Sequence, residues 1–154
     1  MEKYYTPDIE EFHVGFECEL RNSSSEPFEW EPFKIIGVDD GEISGRRMDW
    51  SFYDSNNSIR DEMVRVKYLE WKDIEELGFE HLGSGWFERK NSYHRYESGI
   101  HDCRIRMWKD NQLDIWAYWK DDEPSIIFTG ELKNKSELVK ILQQLGIRIK
   151  GNEE

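Results

Sequence analysis

Short segments with a two-residue hydrophobic period make up most of this chain, and two segments have a helical period. The clearest two-residue period runs through "CRIRMW" and "LDIWAYW" at 103–119. Alternation of this kind is typical of strands with one buried face, so the pattern predicts a hairpin, followed by a further strand at 125–132. The apolar side of the predicted hairpin contains Cys103, Ile105, Met107, Leu113, Ile115, Ala117 and Trp119.

The turn of this hairpin must have an odd number of residues, because only then do both apolar rows lie on one face. We predict a three-residue turn at Asp110–Asn111–Gln112. Asn111 tolerates the left-handed backbone conformation that such turns require.

Several other segments also have the period of a strand. In "FHVGFECEL" (12–20), alternation predicts that Phe12, Val14, Phe16, Cys18 and Leu20 face the core. "FKIIGV" and "MVRVKYL" (63–69) are predicted strands, as are the shorter "FEHL", "GWFERK" and "YHRYE".

Two segments have the spacing of helices. "EWKDIEELGF" predicts a short helix at about 70–77 that ends at Gly78. "NKSELVKILQQLG" predicts a helix at about 135–145, with Asn134 as N-cap and Glu137 at the third helical position. The apolar stripe of this second helix is Leu138, Ile141, Leu142 and Leu145.

These elements predict an α+β fold. We expect a mostly antiparallel β-meander, with the C-terminal helix packed on the sheet and the short helix inserted between strands. The length of 154 residues suggests a single domain over 1–154. We expect its ends, 1–8 and 150–154, to be flexible.

The charge balance excludes one class of partner. The chain has 21 basic and 33 acidic residues and a net charge of −12. Because nucleic-acid binding relies on neutralising phosphates with Lys and Arg, we expect no nucleic-acid partner. No apolar run approaches the roughly 18 residues of a membrane span, and "MEKYYTPDIEE" lacks the apolar region of a secretory signal. We therefore expect a cytoplasmic protein without membrane contact.

Reactive side chains occur, but not in the spacings of known sites. Cys18 and Cys103 lie in apolar rows and outside any CxxC, so we interpret both as reduced core thiols. His94, His101 and Cys103 could alternatively supply three zinc ligands or a Cys–His pair. We predict no catalytic residue, no metal site and no cofactor.

The second face of the predicted hairpin combines arginines with aromatic rings. The turn at 110–112 places Arg106 opposite Trp116 and Arg104 opposite Tyr118, where cation–π contacts can form. Trp, Tyr and Arg are also the residues enriched in binding hot spots. Either another element of the chain covers this face, or it binds a second subunit or a partner protein. The candidate binding residues are Arg104, Arg106, Trp108, Trp116 and Tyr118.

Three segments have a familiar sequence: "KYYTPDIEEFHVGFECEL", "VRVKYLEWKDIEELGF" and "FTGELKNKSELVKILQQLGI". They resemble a family of small uncharacterised proteins from gut Bacteroidota and their phages, over about a third of the chain. The resemblance implies an intracellular protein associated with a phage or mobile element. It carries no active site onto this sequence.

Three functions are compatible with these patterns. The first is a non-enzymatic phage or mobile-element protein that acts by protein–protein interaction, with an unknown protein or with itself. The second is a small-molecule binder or an enzyme with an aromatic-lined pocket. The third is an acidic nucleic-acid mimic that inhibits a DNA-binding protein.

Overall fold

The chain is α+β, with two antiparallel sheets and two α-helices among the residues that its computed structural model describes. These residues are 3–22, 29–39, 42–47, 53–54, 64–90, 100–119 and 122–151. The chain divides into two compact units, Met1–Tyr68 and Leu69–Glu154. The single domain expected from the length stays a prediction.

The first unit contains six strands and the second contains five strands and both helices, within the described ranges. They are β1 (Tyr4–Tyr5), β2 (Glu17–Asn22), β3 (Glu29–Asp39), β4 (Glu42–Arg47), β5 (Tyr53–Asp54), β6 (Val64–Lys67), α1 (Trp71–Glu76), β7 (Glu80–Gly83), β8 (Trp86–Lys90), β9 (Ile100–Met107), β10 (Gln112–Trp119), β11 (Ser125–Glu131) and α2 (Lys135–Gln144).

The first unit is built on one sheet with the strand order β1-β6-β2-β3-β4-β5. Its core forms where alternate residues of β2, β3 and β6 meet on one face, with Cys18 opposite Phe33 and Leu20 opposite Val64. The buried members of this core are Phe16, Cys18, Phe33, Ile35, Val64 and Val66. The buried alternate positions of β6 confirm the strand predicted from "MVRVKYL".

The predicted strand over "FHVGFECEL" is wrong in its first half. A turn precedes β2, in which the N–H of Phe16 donates to the carbonyl of His13 at 3.0 Å and Gly15 has φ 91°. Glycine adopts this left-handed conformation at little cost, so Gly15 permits the turn. Val14, predicted to face the core, is 65% exposed. The alternation holds from Phe16 onward, where Phe16 and Cys18 are buried.

Other parts of the chain also differ from the sequence pattern or lie beyond it. Tyr4 and Tyr5, assigned to a flexible end, pair with β6. β3 extends the predicted "FKIIGV" backwards to Glu29 and includes Pro32. The predicted strand "YHRYE", at 93–97, lies outside the described residues.

The second unit has the strand order β11-β10-β9-β8-β7, and both helices pack on one face of this sheet. α1 confirms the short helix predicted at about 70–77, and Gly78 follows it with φ 95°. Buried side chains from both helices and from the sheet form one core. They are Leu69, Ile74, Leu77, Phe79, Phe87, Cys103, Ile105, Leu113, Ile115, Leu132, Leu138, Leu142, Ile147 and Ile149.

α2 confirms the predicted C-terminal helix and its N-cap. The Asn134 side-chain oxygen accepts from the N–H of Glu137 at 2.9 Å, and the Glu137 carboxylate accepts from the N–H of Lys133 at 2.5 Å. The first of these bonds satisfies a donor that a helix start leaves unpaired. Leu138 and Leu142 are fully buried, so the predicted apolar stripe faces the core.

The hairpin of β9 and β10 has an odd turn, as predicted, but the turn begins one residue earlier. Met107 pairs with Leu113, and the N–H of Trp108 donates to the carbonyl of Gln112 at 2.8 Å. The three turn residues are therefore Lys109–Asn111. Asn111 has φ 59°, which confirms the predicted left-handed conformation.

Candidate protein-binding face

The five candidate binding residues lie on the face of the second sheet opposite to α1 and α2. Along β10, Leu113, Ile115 and Ala117 point into the core, so the residues between them point outward. The structure adds Trp86 of β8, whose ring contacts two of the candidates. We refer to Trp86, Arg104, Arg106, Trp108, Trp116 and Tyr118 as the arginine–aromatic face.

Arg104 is held by two neighbours within this unit. Its Nε and Nη2 atoms each lie 3.0 Å from Oε1 of Glu88, and its Nη1 donates to the Tyr118 hydroxyl at 3.2 Å. Its Cζ lies 4.5 Å from the centre of the Tyr118 ring. Burial lowers the pKa of Arg104, but the bonds and charges of Glu88 and Tyr118 outweigh burial and raise it. Arg104 therefore has both a ring and a carboxylate.

Arg106 has rings but no carboxylate. Its Cζ lies 3.4 Å from the centre of the Trp108 ring and 5.1 Å from that of the Trp86 ring. Among the described residues, no hydrogen bond or ion pair involves the Arg106 guanidinium. An arginine in this position keeps a row of N–H donors available at the edge of its planar group.

Asp114 is directly opposite Arg106 in the β9–β10 register, yet it does not pair with that arginine. Its Oδ2 accepts from Nε1 of Trp108 at 2.8 Å, and its Oδ1 accepts from the Thr129 hydroxyl. The carboxylate therefore holds the indole ring of Trp108 in place. Trp108 itself is 46% exposed.

Trp116 lies at the centre of this face. It is opposite Arg104, and its ring lies 6.2 Å from that of Trp86. Its Nε1 is buried and has no acceptor among the residues that the structure places. A buried donor without an acceptor is destabilising, so this indole is the least satisfied side chain of the face.

The predicted cross-strand pairs are wrong, although the predicted face is right. Arg106 is opposite Asp114 rather than Trp116, and Arg104 is opposite Trp116 rather than Tyr118. A turn that begins one residue earlier moves every partner on β10 by two positions, which keeps the same face outward. Arg104 still contacts Tyr118, as predicted, because diagonal neighbours on a sheet are within reach of long side chains.

Sequence reasoning missed the contribution of β8. In the β8–β9 register, Trp86 is opposite Arg106 and Glu88 is opposite Arg104. The signal was present in "WFERK", where Trp86 and Glu88 alternate with the buried Phe87. Hydrophobic period alone does not say which strand pairs with which, so the two outward side chains could not be assigned to this face.

The two cysteines have no features of catalytic thiols. Burial raises the pKa of Cys103 to about 12, and burial with the charges of Glu19 and Glu17 raises the pKa of Cys18 to about 12. A thiol is nucleophilic as the thiolate, which such values suppress at neutral pH. His94 and the side chain of His101, the alternative zinc ligands, lie outside the described residues.

A second aromatic cluster surrounds His81. The His81 ring stacks on the Phe87 ring, with 4.8 Å between ring centres. Its centre lies 4.7 Å from the centre of the Trp71 ring. Over the described part of the chain, no group of three His, Cys, Asp or Glu side chains could hold a metal ion. His81 therefore packs here as a ring within an aromatic stack.

Comparison with known proteins identifies no relative: no family model, no curated protein and no solved structure matches this chain. In the described residues, no helix has the length and apolar character needed to cross a membrane.

Proposed function

We propose that this chain is a non-enzymatic, cytoplasmic protein that binds a partner protein through the arginine–aromatic face. One observation carries the proposal. α1 and α2 pack on one face of the second sheet, while large rings on the opposite face remain in contact with solvent. The resemblance of three segments to proteins of gut Bacteroidota and their phages favours a phage or mobile-element protein.

The exposed apolar groups of this face are those from which a partner would exclude water. Trp108 is 46% exposed, and Ile126, which pairs with Trp116 across β10 and β11, is 50% exposed. Full burial of an exposed side chain contributes about 1.5–3 kcal/mol, so burying the remaining half of each of these contributes roughly half of that. The rings are also held in fixed positions by Asp114 and the arginines, so little conformational entropy is lost on binding.

Charge narrows the kind of partner. The net charge of −12 repels nucleic acid and strongly acidic proteins, and it accelerates encounter with a basic protein surface. The face itself carries both signs, because Glu88 and Asp114 lie among its arginines. A protein surface of mixed polarity fits this arrangement better than a uniformly charged one.

The test is comparative affinity capture from a lysate of cells that carry the gene. We expect Trp108→Ala and Ile126→Ser each to reduce a captured protein by about tenfold or more, as for hot-spot residues. Val14→Ser is the matched control, because Val14 is an apolar residue of the first unit with 65% exposure. Sedimentation velocity of the wild-type chain shows whether the partner is a second copy.

Retention of every captured protein by both Trp108→Ala and Ile126→Ser, with an unchanged sedimentation coefficient, contradicts the proposal. Loss of the captured protein in all three variants, including Val14→Ser, also contradicts it, since binding would then not depend on this face.

A further inference from the structure

Within the described residues, three arginines lie over aromatic rings, and two of these also form an ion pair with a glutamate. In the first unit, the Cζ of Arg65 lies 3.8 Å from the centre of the Tyr4 ring and 4.3 Å from that of the Trp30 ring. Its Nε donates to Oε2 of Glu19 at 2.6 Å. Glu19 is on the neighbouring strand, directly opposite Arg65.

Arg104 repeats this arrangement in the second unit. Its guanidinium lies over Tyr118 and binds Glu88, which is directly opposite on the neighbouring strand. In both cases the Cζ atom lies within 4.5 Å of a ring centre, and the Nε–H donates to the glutamate. These are the two modes of contact that a guanidinium supports at once.

Arg106 has the rings without the glutamate. It lies over Trp108 and Trp86, and Trp86 occupies the position opposite Arg106 where Arg65 and Arg104 each have a glutamate. On the other neighbouring strand, Asp114 is opposite Arg106, but its carboxylate oxygens accept hydrogen bonds from Trp108 and Thr129 instead. Within the described ranges, the donors of Arg106 therefore have no acceptor.

We propose that Arg106 is a recognition site for a glutamate side chain of the partner protein, with Trp108 and Trp86 as its stacking platform. This inference rests on the proposed function and names the chemistry of the contact. The partner's carboxylate takes the place that Glu19 and Glu88 have beside the other two arginines. Hydrogen bonds between a guanidinium and a carboxylate are charge-assisted, and are therefore shorter and stronger than those between neutral groups.

The indole rings make Arg106 better suited to this role than a free surface arginine. An exposed arginine loses side-chain freedom when it forms an ion pair, which cancels much of the gain. Arg106 is already held against Trp108, and Asp114 holds Trp108. A single glutamate on a neutral or basic surface is also compatible with the net charge of −12, because charges beyond about 8 Å are screened at physiological salt.

The experiment uses a small probe, N-acetyl-glutamate N-methylamide. It is titrated into the full ¹⁵N-labelled chain at about the physiological ionic strength of 0.15 M, and binding is followed by NMR. The glutamine analogue of the probe has the same shape without the charge. We expect the glutamate probe to shift the Arg106 Nε–H and Trp108 Nε1–H signals with saturation. The glutamine analogue should bind at least about fivefold more weakly.

Variants assign the effect to the planar guanidinium. Arg106→Gln removes the charge, and Arg106→Lys keeps the charge without the planar row of donors. Both variants should bind the glutamate probe about fivefold or more weakly than the wild-type chain does. Lys109→Gln is the matched control, since Lys109 is an exposed cation in the adjacent turn, and it should leave binding within about twofold. Unchanged indole signals of the tryptophans outside the arginine–aromatic face show that each variant is folded.

Equal shifts with both probes, or no saturable shift in the wild-type chain, overturn the inference. The inference is also overturned if Lys109→Gln reduces probe binding as much as Arg106→Gln does. The probe would then respond only to the overall electrostatic field of the protein. These results leave the proposed function standing if Trp108→Ala still abolishes partner capture. Capture that is insensitive to both Trp108→Ala and Ile126→Ser, with an unchanged sedimentation coefficient, refutes the proposed function, whatever the probe does.

Discussion

Glu88 and Arg104 form an ion pair across β8 and β9, with one carboxylate oxygen 3.0 Å from both Nε and Nη2 of the arginine. The Glu88 side chain is only 13% exposed, whereas that of Arg104 is 35% exposed. The pair therefore lies at the border between solvent and sheet, where an ion pair is less screened than on an open surface.

This pair should contribute measurably to stability. In a double-mutant cycle of Glu88→Gln and Arg104→Gln, we expect a coupling free energy of about 0.5–1 kcal/mol from urea denaturation. The reference is the pair of Lys135 and Glu76, with side chains 33% and 47% exposed, which should couple by less. A Glu88–Arg104 coupling of zero within error would show that the contact is not maintained in solution.

The turn residue Asn111 should tolerate glycine and reject β-branched side chains. Its φ of 59° is accessible to glycine without strain, so Asn111→Gly should leave the free energy of unfolding unchanged within about 0.5 kcal/mol or raise it slightly. Asn111→Val should lower it by about 1–2 kcal/mol. Equilibrium unfolding of both variants provides the measurement, and equal stabilities would mean that the turn has another conformation.

The C-terminal helix should be essential to the core of the second unit. Leu142 is fully buried, so Leu142→Ala should lower the free energy of unfolding by about 2–5 kcal/mol. Gln143→Ala, on the solvent side of the same helix, is the control and should change it by less than about 0.5 kcal/mol. An unchanged melting temperature for Leu142→Ala would refute the docking of α2 on the sheet.

Stability should fall at alkaline pH partly through the buried thiols. The pKa of Cys103 rises from 9.0 to about 12 on burial, so above pH 9 the unfolded chain holds fewer protons than the folded chain. The contribution of this thiol is fully present below pH 9 and is lost as pH rises towards 12, with a slope of up to about 1.4 kcal/mol per pH unit.

The check is urea denaturation of wild type and of Cys103→Ala at several pH values between about 8 and 11, a window that spans the unfolded pKa. Tyrosine and lysine titrate in both proteins and cancel in the comparison. The variant should be less stable at pH 8 and should lose stability less steeply above pH 9. Parallel curves would mean that the Cys103 thiol ionises as easily in the folded chain as in the unfolded one.

The parts of the fold that depend on neighbouring residues could be predicted from the sequence. The N-cap bond joins Asn134 to Glu137, only three positions later, and α2 begins directly after Asn134 as predicted. The false strand start at Phe12 has a different origin. Alternation continues through Val14, but the backbone turns at Gly15, and a hydrophobic pattern carries no information about the sign of φ.

Pairings between distant strands could not be predicted. β6 lies between β1 and β2 in the first sheet, although it follows them by more than forty residues. Trp86 and Glu88 reach the arginine–aromatic face for the same kind of reason, since only the β8–β9 register places them there. Local pattern determines which side of a strand is buried, whereas the choice of partner depends on the packing of the whole sheet.

The turn at Lys109–Asn111 has an odd number of residues, and this restricts how the hairpin can change length during evolution. Inserting or deleting one residue there would turn β10 over, so that Leu113 and Ile115 would face solvent and Asp114 and Trp116 would enter the core. A change of two residues leaves the faces as they are and only slides one row of side chains past the other. Insertions and deletions that preserve both surfaces of the sheet must therefore occur here in even numbers.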